Sequence, residues 1–231
     1  MTIKYAIIFR GFSFCQTRKG VNWRLILNNL TTNLFEPLFQ FKPTLEIDIF
    51  LVTYESIMQD QLVCDFQTLA NQFKNKVKIQ TCLFLPTNGE SFNQRDTMLE
   101  SLKSVNNPEQ YNMLIIYRFD LYMLKPITEM NFVEDKINIA WRELAHYWRA
   151  HCRVCDLFFA FPGKYYTQMF YAISKHKDRT NLHKIYNILY EQNVEIHFMT
   201  PNSEFYDSNT DKKSNPFFRI VRSNEWNVCI P

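Results

Sequence analysis

Short apolar segments of β type alternate with longer segments of helical spacing through the first half of the chain. Four apolar segments occur before residue 120, at 3–9, 47–54, 77–85 and 113–119. Between them, apolar residues recur three or four positions apart, which predicts amphipathic helices over 26–38, 62–73 and 98–105. Asn22 is the expected cap of the first helix. Strands that alternate with such helices favour right-handed crossovers, so we predict a doubly wound α/β fold with a mostly parallel central sheet and helices on both faces.

The second half of the chain is less regular. Its apolar and periodic segments predict strands at 137–140, 156–162 and 194–199 and helices at 164–176 and 182–192. Residues 202–216 are polar and rich in turn formers, so the tail could be disordered. The apolar residues beyond them, Phe217, Phe218, Ile220 and Trp226, favour a C-terminal segment that packs down on the fold or closes over something. No internal repeat or low-complexity linker is present, and a length of 231 residues suits one large domain over 1–231.

Composition and charge exclude several classes of protein. Hydrophobic residues make up 46% of the chain and aromatic residues 16%, which indicates a globular protein. A net charge of +3 is too small for general nucleic-acid binding, although the basic residues before the first acid, Glu36, could face phosphate or simply be solvated. No apolar run approaches the roughly 18 residues of a transmembrane segment, and no signal peptide is evident. We therefore expect a soluble, cytoplasmic protein.

Glycine and cysteine usage narrow the chemistry further. The chain has four Gly and neither GxGxxG nor GxxxxGK(S/T), which weighs against a Rossmann dinucleotide site or a P-loop, and it lacks the GxSxG of hydrolases. Six scattered Cys fit reduced thiols. Cys152 and Cys155 form a CxxC beside His151 and could ligate zinc, but we favour buried thiols because no second ligand pair of matching spacing is present.

Polar residues follow the predicted strands at the edge of the sheet where function gathers in open α/β folds. The strand ends carry the segments Arg10-Gly11-Phe12, Thr53-Tyr54-Glu55, 86–89 and Arg118-Phe119-Asp120. This partly cationic rim suits a nucleotide held through its base, ribose and phosphates. Asp120 directly follows a buried strand, where a carboxylate could bind a divalent cation, and the alternative is a residue that forms a turn or caps a helix.

A family resemblance is carried by six segments in order: YAIIFRGF, IDIFLVTYE, NQRDTMLESL, IIYRFDLYMLKPI, DLFFAFPGKYYTQMFYAI and YDSNTDKKSNPFFRI. Over nearly its whole length the chain resembles the GT-A type sugar-nucleotide glycosyltransferases of large DNA viruses and some microbial glycan clusters. The resemblance implies a UDP-sugar or GDP-sugar donor, Mn²⁺ or Mg²⁺, and a DxD-type motif. The sequence departs from that motif, since the segment 118–122 has a single carboxylate, Asp120.

The resemblance also implies roles for individual residues in a nucleotide-sugar half at about 1–125. Asp120 becomes the metal ligand, next to Arg118 in the nucleotide-sugar site. Arg95, early in a helix that starts near Phe92, points at the donor phosphates. The remaining donor contacts fall on residues beside the diphosphate and in the base and ribose pocket, namely Arg10, Gly11, Phe12, Thr53 and Tyr54. For Tyr54 a position at the edge of the core is the alternative, and for Arg95 a solvent-facing position.

An acceptor half is implied at about 126–231. There Asp156 becomes the general base that an inverting transfer needs, and Glu143 and His151 are its rivals. Trp141, Tyr147 and Trp148 could form a platform for a sugar ring or belong to the core. His183 and His197 could approach the metal, but structural roles are favoured for both.

We therefore predict a glycosyltransferase that moves a sugar from a nucleotide-diphosphate donor to a hydroxyl of a glycan acceptor with the assistance of a metal. If the protein is viral, we expect it in the host cytoplasm. Two alternatives stay open. One is a nucleotidyltransferase that makes the sugar nucleotide, although RGFSFCQTRKG (10–20) has only a faint likeness to its Gly-rich signature. The other is a catalytically inactive glycan-binding module on the same fold.

Overall fold

The secondary structure follows the alternation seen in the sequence. A computed structural model of the protein describes residues 2–15, 21–87, 93–144, 152–206 and 215–221. Its helices are α1 (Arg24–Leu30), α2 (Glu36–Phe41), α3 (Gln59–Asn71), α4 (Gln94–Lys103), α5 (Tyr166–Lys175) and α6 (Ile185–Glu191). Its strands are β1 (Ile3–Gly11), β2 (Phe14–Cys15), β3 (Val21–Asn22), β4 (Leu45–Tyr54), β5 (Val77–Leu85), β6 (Met113–Arg118), β7 (Leu121–Met123), β8 (Ile137–Ile139), β9 (Arg142–Glu143), β10 (Phe159–Phe161), β11 (Ile196–Phe198), β12 (Phe205–Tyr206) and β13 (Phe218–Ile220).

A central sheet holds strands from both halves of the chain. In the described residues its order is β11-β8-β10-β6-β1-β4-β5, with β10 antiparallel to its two neighbours and the other pairs parallel. The interior of β1, residues 6–9, is completely inaccessible to solvent, as expected for the middle strand of a parallel sheet covered on both faces. The predicted mostly parallel α/β fold is confirmed.

The first predicted helix, over 26–38, is interrupted. A π-helical turn, Thr31–Phe35, separates α1 from α2, and the Thr31 and Thr32 hydroxyls donate to carbonyls four residues back, a local bond that bends helices. Asn22 does accept a hydrogen bond from the Arg24 main-chain N–H at 3.0 Å, but the helix begins at Arg24, so Trp23 occupies the N-cap position.

The strand predicted over 156–162 is shorter in the structure, since β10 covers Phe159–Phe161 alone. The main chain before it bonds to side chains instead: the Asp156 carbonyl accepts from Arg10, and the Leu157 N–H donates to the Cys155 sulfur.

At the other end of the chain, Phe217 and Phe218 are buried and β13 pairs with β7, which confirms that this segment packs down. Trp226 lies outside the described residues. No helix within the described ranges is long and apolar enough to cross a membrane.

Gly163 provides a test of this packing. It lies in a 3₁₀ turn, Gly163–Tyr165, that contacts the turn Pro108–Gln110, and a Cβ atom there would lie 2.1 Å from the Pro108 carbonyl oxygen and 2.7 Å from that of Tyr111. Neither backbone atom can move without shifting its own turn.

We expect Gly163→Ala to lower the free energy of unfolding by about 1–3 kcal/mol, the usual cost of overpacking. Urea denaturation measures it. Lys164→Ala, at the exposed next position, is the matched control and should stay within about 0.5 kcal/mol of the wild type. Equal stability of the two variants would contradict the close approach described here.

Candidate functional site

A cavity of about 300 Å³ lies where β1, β4 and β6 end and α4 begins. Polar or charged side chains and two aromatic rings form most of its wall, and the lining residues are Arg10, Gly11, Phe12, Cys15, Val21, Tyr54, Asn93, Gln94, Thr97, Arg118, Asp120 and Thr180. The cavity is therefore at the sheet edge that the sequence predicted. Six of the predicted site residues meet in it, and Thr53, Arg95 and Asp156 do not line it.

The parallel pairing of β1 with β6 places Arg10 directly beside Arg118. Partners in adjacent strands point to the same face of a sheet, so two guanidinium groups share one wall. Arg10 is 2% exposed, and its Nη2 donates to the Asp156 carbonyl oxygen at 2.9 Å. Its Nε is buried and has no hydrogen-bond partner among the residues that the structure describes. Burial, together with the Arg118 charge, lowers the pKa of Arg10 to about 10, which still leaves it charged at neutral pH.

Arg118 and Asp120 form a bidentate ion pair. Arg118 Nε donates to one carboxylate oxygen at 2.8 Å and Nη2 to the other at 2.7 Å. Burial alone lowers the pKa of Arg118, but the Asp120 carboxylate outweighs burial and holds that pKa above its ordinary value. The Asp120 main chain is fixed as well, because its carbonyl accepts from the Val221 N–H at 2.8 Å. Arg118 is thus a largely buried, anchored cation and not a surface charge.

Gly11 lets the chain turn out of β1 into the cavity wall. Its φ of +93° is one that other residues rarely adopt, and no heavy atom lies within 4 Å of the place a Cβ would take. The next residue, Phe12, packs its ring on Tyr54 with centroids 4.7 Å apart and planes tilted by 32°. The Tyr54 hydroxyl lies 2.5 Å from Thr97 Oγ1. Phe12 and Tyr54 therefore form an oriented aromatic wall.

Two predicted donor residues are engaged elsewhere. Thr53 is buried, and its hydroxyl donates to Ser13 Oγ and accepts from the Ser13 N–H, which braces the turn after β1. Arg95 donates to Asp96 at 3.1 Å and to the His176 carbonyl oxygen at 3.0 Å. Their contacts with a nucleotide remain predictions.

The start of α4 supplies lining residues that sequence reasoning missed. Asn93 is the N-cap, and its Oδ1 accepts from the Asp96 N–H at 3.1 Å while its Nδ2 donates to the Asp96 carboxylate. Gln94 and Thr97 then face the cavity. The signal was present in the Asn-x-x-Asp spacing, which is close to a capping box and marks a helix start.

A second cavity, of about 280 Å³, adjoins the first and shares Gln94, Arg118 and Thr180 with it. Its lining residues are Gln94, Arg118, Arg153, Asp156, Thr180, Asn181, His183 and Ile220. Asp156 is thus one cavity away from the aromatic wall, with Arg118 between the two spaces.

Asp156 lies against His183 in this second cavity. The His183 Nδ1 is 2.8 Å from the Val154 carbonyl oxygen, and because a carbonyl can only accept, Nδ1 carries a hydrogen. The other ring nitrogen, Nε2, lies 3.6 Å from Asp156 Oδ2. Glu143, the rival of Asp156, is buried on the other side of the ring, with its Oε1 4.0 Å from His183 Nδ1, and it accepts from Trp141 Nε1. His183 therefore lies between two buried carboxylates.

The other candidates of the acceptor half are placed as follows. Trp141 is completely buried, so it belongs to the core and not to a sugar platform. His197 lies on strand β11 and bonds through Nε2 to the Asn131 carbonyl. It does not line either cavity. Tyr147, Trp148 and His151 lie outside the described residues.

The described donor set does not fit the divalent cation that the resemblance implies. Asp120 is the one carboxylate among the described lining residues of the first cavity, and both of its oxygens accept from Arg118. No group of three or more His, Cys, Asp or Glu in the described ranges is placed to hold a metal.

In the CxxC, Cys155 is buried, and burial with the Glu143 and Asp156 charges raises the pKa of its thiol well above the ordinary value.

Comparison with known proteins identifies the fold. No family model matches the chain, and no curated protein matches its sequence. Among solved structures, the Drosophila β-1,4-galactosyltransferase 7 in complex with manganese, UDP-Gal and xylobiose is 8% identical, with 96% of this chain and 72% of that chain covered at a TM-score of 0.50. This likeness, at such low identity, shows the fold alone: the chain has the GT-A type of fold.

Two weaker likenesses have TM-scores below 0.5 and support no further statement. The nucleoside-diphosphate-sugar pyrophosphorylase from Vibrio cholerae is 10% identical, with 84% of this chain and 90% of that chain covered at a TM-score of 0.47. Mouse xyloside xylosyltransferase 1 is 11% identical, with 85% of each chain covered at 0.43. None of these names supports a viral origin.

His176, whose carbonyl holds Arg95, makes the fold sensitive to mild acid. Its ring is buried and its Nε2 bonds to the Asn181 carbonyl at 2.9 Å. Burial lowers the pKa of His176 from 6.5, so the unfolded chain binds a proton at a higher pH than the folded chain does.

We expect this contribution to stability to be fully present above pH 6.5 and to be lost as the pH falls through the lower pKa of the folded state. His176→Gln keeps a donor for Asn181 and should flatten the stability profile in that window. Urea denaturation at a series of pH values measures it, and an unchanged profile in the variant would contradict this role.

Proposed function

We propose that the protein is a glycosyltransferase that moves a sugar from a UDP-sugar or GDP-sugar to a hydroxyl of a glycan acceptor. The observation that carries this proposal is the pair of adjoining cavities that share Arg118. One has arginines and an aromatic wall, and the other has a buried carboxylate. A two-substrate transfer needs such neighbouring sites, because donor and acceptor must meet at the atom that is transferred.

The first cavity suits the nucleotide diphosphate of the donor. Arg10 and Arg118 supply guanidinium groups, which match phosphate oxygens in geometry and charge. The Phe12 and Tyr54 wall offers a face on which a base can stack. Asn93 and Gln94 add polar groups that could select the base or ribose. The Drosophila structure of the same fold contains UDP-Gal, which supports a donor of this class.

The resemblance implies Mn²⁺ or Mg²⁺ with Asp120 as a ligand, and the Drosophila neighbour contains manganese. Because the described donor set does not fit a divalent cation, no step of the transfer proposed here passes through a metal.

The second cavity suits the acceptor. In an inverting transfer the acceptor oxygen bonds to the anomeric carbon while the bond from that carbon to the diphosphate oxygen breaks. The bonding pair leaves with the nucleoside diphosphate, and the acceptor proton passes to the Asp156 carboxylate. The Leu182 main-chain N–H, which donates to Asp156 Oδ2 at 3.5 Å, is placed to orient that carboxylate. The Drosophila neighbour contains xylobiose, which supports a glycan as the acceptor class.

A thermal-shift screen of nucleotide sugars tests the proposed function. A ligand at a hundred times its dissociation constant should add about 2.7 kcal/mol to stability, so a UDP-sugar or GDP-sugar should raise the melting temperature clearly. The released product then distinguishes the alternatives: nucleoside diphosphate indicates transfer or hydrolysis, and nucleoside triphosphate formed from added pyrophosphate indicates a nucleotidyltransferase. Glycan binding without turnover indicates a binding module, and no shift with any donor would refute the proposal.

Asp156→Asn tests the proposed base. The substitution keeps size and hydrogen bonding but removes basicity, so turnover should fall by about 10²–10⁴-fold with little change in donor affinity. Asp135→Asn, at an exposed position, is the matched control and should leave turnover unchanged. Near-normal transfer by Asp156→Asn would move the role to Glu143 or His151, or indicate a retaining mechanism.

A further inference from the structure

We propose that the paired guanidinium groups of Arg10 and Arg118, and not a divalent cation, neutralise the donor diphosphate. This inference rests on the proposed function and specifies how that site binds its donor. It also gives Asp120 a different role from the predicted metal ligand: a positioning residue that holds one of the two arginines.

The register of the central sheet brings the two arginines together. Arg10 and Arg118 are direct partners in the parallel pair β1 and β6, so their side chains leave the sheet on the same face and line the same cavity. Two buried cations side by side repel each other, and an anion with two charged phosphate groups removes that repulsion. The pair thus forms a site preorganised for a diphosphate.

Arg10 is 2% exposed, and its one hydrogen bond within the described residues goes to a main-chain carbonyl, that of Asp156. Its Nε is buried without a partner. A buried guanidinium ordinarily pairs with a carboxylate. Arg10 has no such hydrogen-bonded carboxylate among the described residues, so a bound phosphate would complete its coordination.

Asp120 fixes the orientation of Arg118. Its carboxylate accepts from Nε and Nη2 at one edge of the guanidinium, and no described residue accepts from Nη1. Anchoring at one edge of a planar fork fixes the direction of the other edge. Arg118 also lines both cavities, so its remaining donors lie at the boundary where the leaving oxygen would separate from the sugar.

The same geometry opposes a cation. A metal at Asp120 would have to share a carboxylate whose two oxygens already accept from Arg118, and it would lie beside two positive groups. Hard divalent cations need several oxygen ligands, and no second carboxylate lines the first cavity within the described part of the chain. When the anomeric bond breaks, the electron pair stays on the diphosphate oxygen, and the arginines stabilise it by donated hydrogen bonds without giving up a proton.

Calorimetric titration with UDP and GDP, in EDTA and in excess Mn²⁺, is the first test. We expect wild-type affinity in EDTA to lie within about threefold of that in Mn²⁺, well under the tenfold step of one strong contact. Binding that requires Mn²⁺ would overturn this inference and leave the proposed glycosyltransferase standing. Binding of neither nucleotide in either buffer would overturn both.

Variants are the second test. Arg10→Lys and Arg118→Lys keep the charge but lose the planar fork, so each should weaken UDP binding in EDTA by about 10- to 100-fold and leave uridine binding nearly unchanged. Arg24→Lys is the matched control, since Arg24 is also partly buried and paired with a carboxylate, Asp65, but lines neither cavity. Wild-type UDP affinity in both arginine variants would overturn the proposal.

Asp120→Asn distinguishes a residue that positions Arg118 from a metal ligand at this place. The Asn oxygen can still accept one N–H from Arg118, so the anchor is weakened but kept, and the substitution also removes a negative charge beside the diphosphate. These two effects oppose each other, so UDP affinity in EDTA should change by less than about tenfold. A metal ligand at this position predicts the opposite, loss of both Mn²⁺ response and UDP binding. Melting temperatures of all variants show that the folded proteins are being compared, and loss of UDP binding by a folded Asp120→Asn would overturn the proposal.

Discussion

The buried charge at the end of β1 is the constraint on which the arrangement of the site depends. Residues 6–9 of that strand are completely buried, and the next residue is Arg10, also buried. A guanidinium in such a place needs acceptors. It reaches the Asp156 carbonyl, 146 residues further along the chain, and so ties the sheet end of the first half to the segment that carries the acidic residue of the second cavity. The relative position of the two cavities follows from that contact.

The fold could be predicted from the sequence where the signal is local. Apolar runs of four to nine residues and helical spacing between them gave β1, β4, β5, β6 and the helices α3 and α4 with small errors at the ends. The second half was predicted less accurately because its strands are short and their ends are set by side-chain contacts from distant residues. The π turn between α1 and α2 had no periodic signal, since the apolar residues Ile26, Leu30, Leu34 and Leu38 keep a spacing of four residues through it.

The site, too, was predictable only in part. Its position at the carboxyl ends of the strands could be predicted because parallel strands end at the same edge of a sheet. The register of β1 against β6 could not be predicted, because these two strands are far apart in sequence and nothing local indicates that Arg10 lies beside Arg118. The spacing of Arg118 and Asp120, two residues apart at the end of β6, was visible in the sequence, but the two residues were interpreted as having separate functions and not as an ion pair. Gln94 and Thr97 were missed because helix starts were used to find boundaries and not to find ligands.

A cation built into the chain differs physically from one that binds with the donor. A metal can leave with the product, whereas Arg10 and Arg118 stay charged in the cavity when no donor is present, at the cost of burying two like charges. The empty site must therefore carry its own counter-charge. Asp120 provides it for Arg118 through two short hydrogen bonds, and the Asp156 carbonyl dipole provides a weaker compensation for Arg10. A donor phosphate thus gains most at Arg10, the less compensated of the two cations, while Asp120 keeps Arg118 in position through the cycle of binding and release.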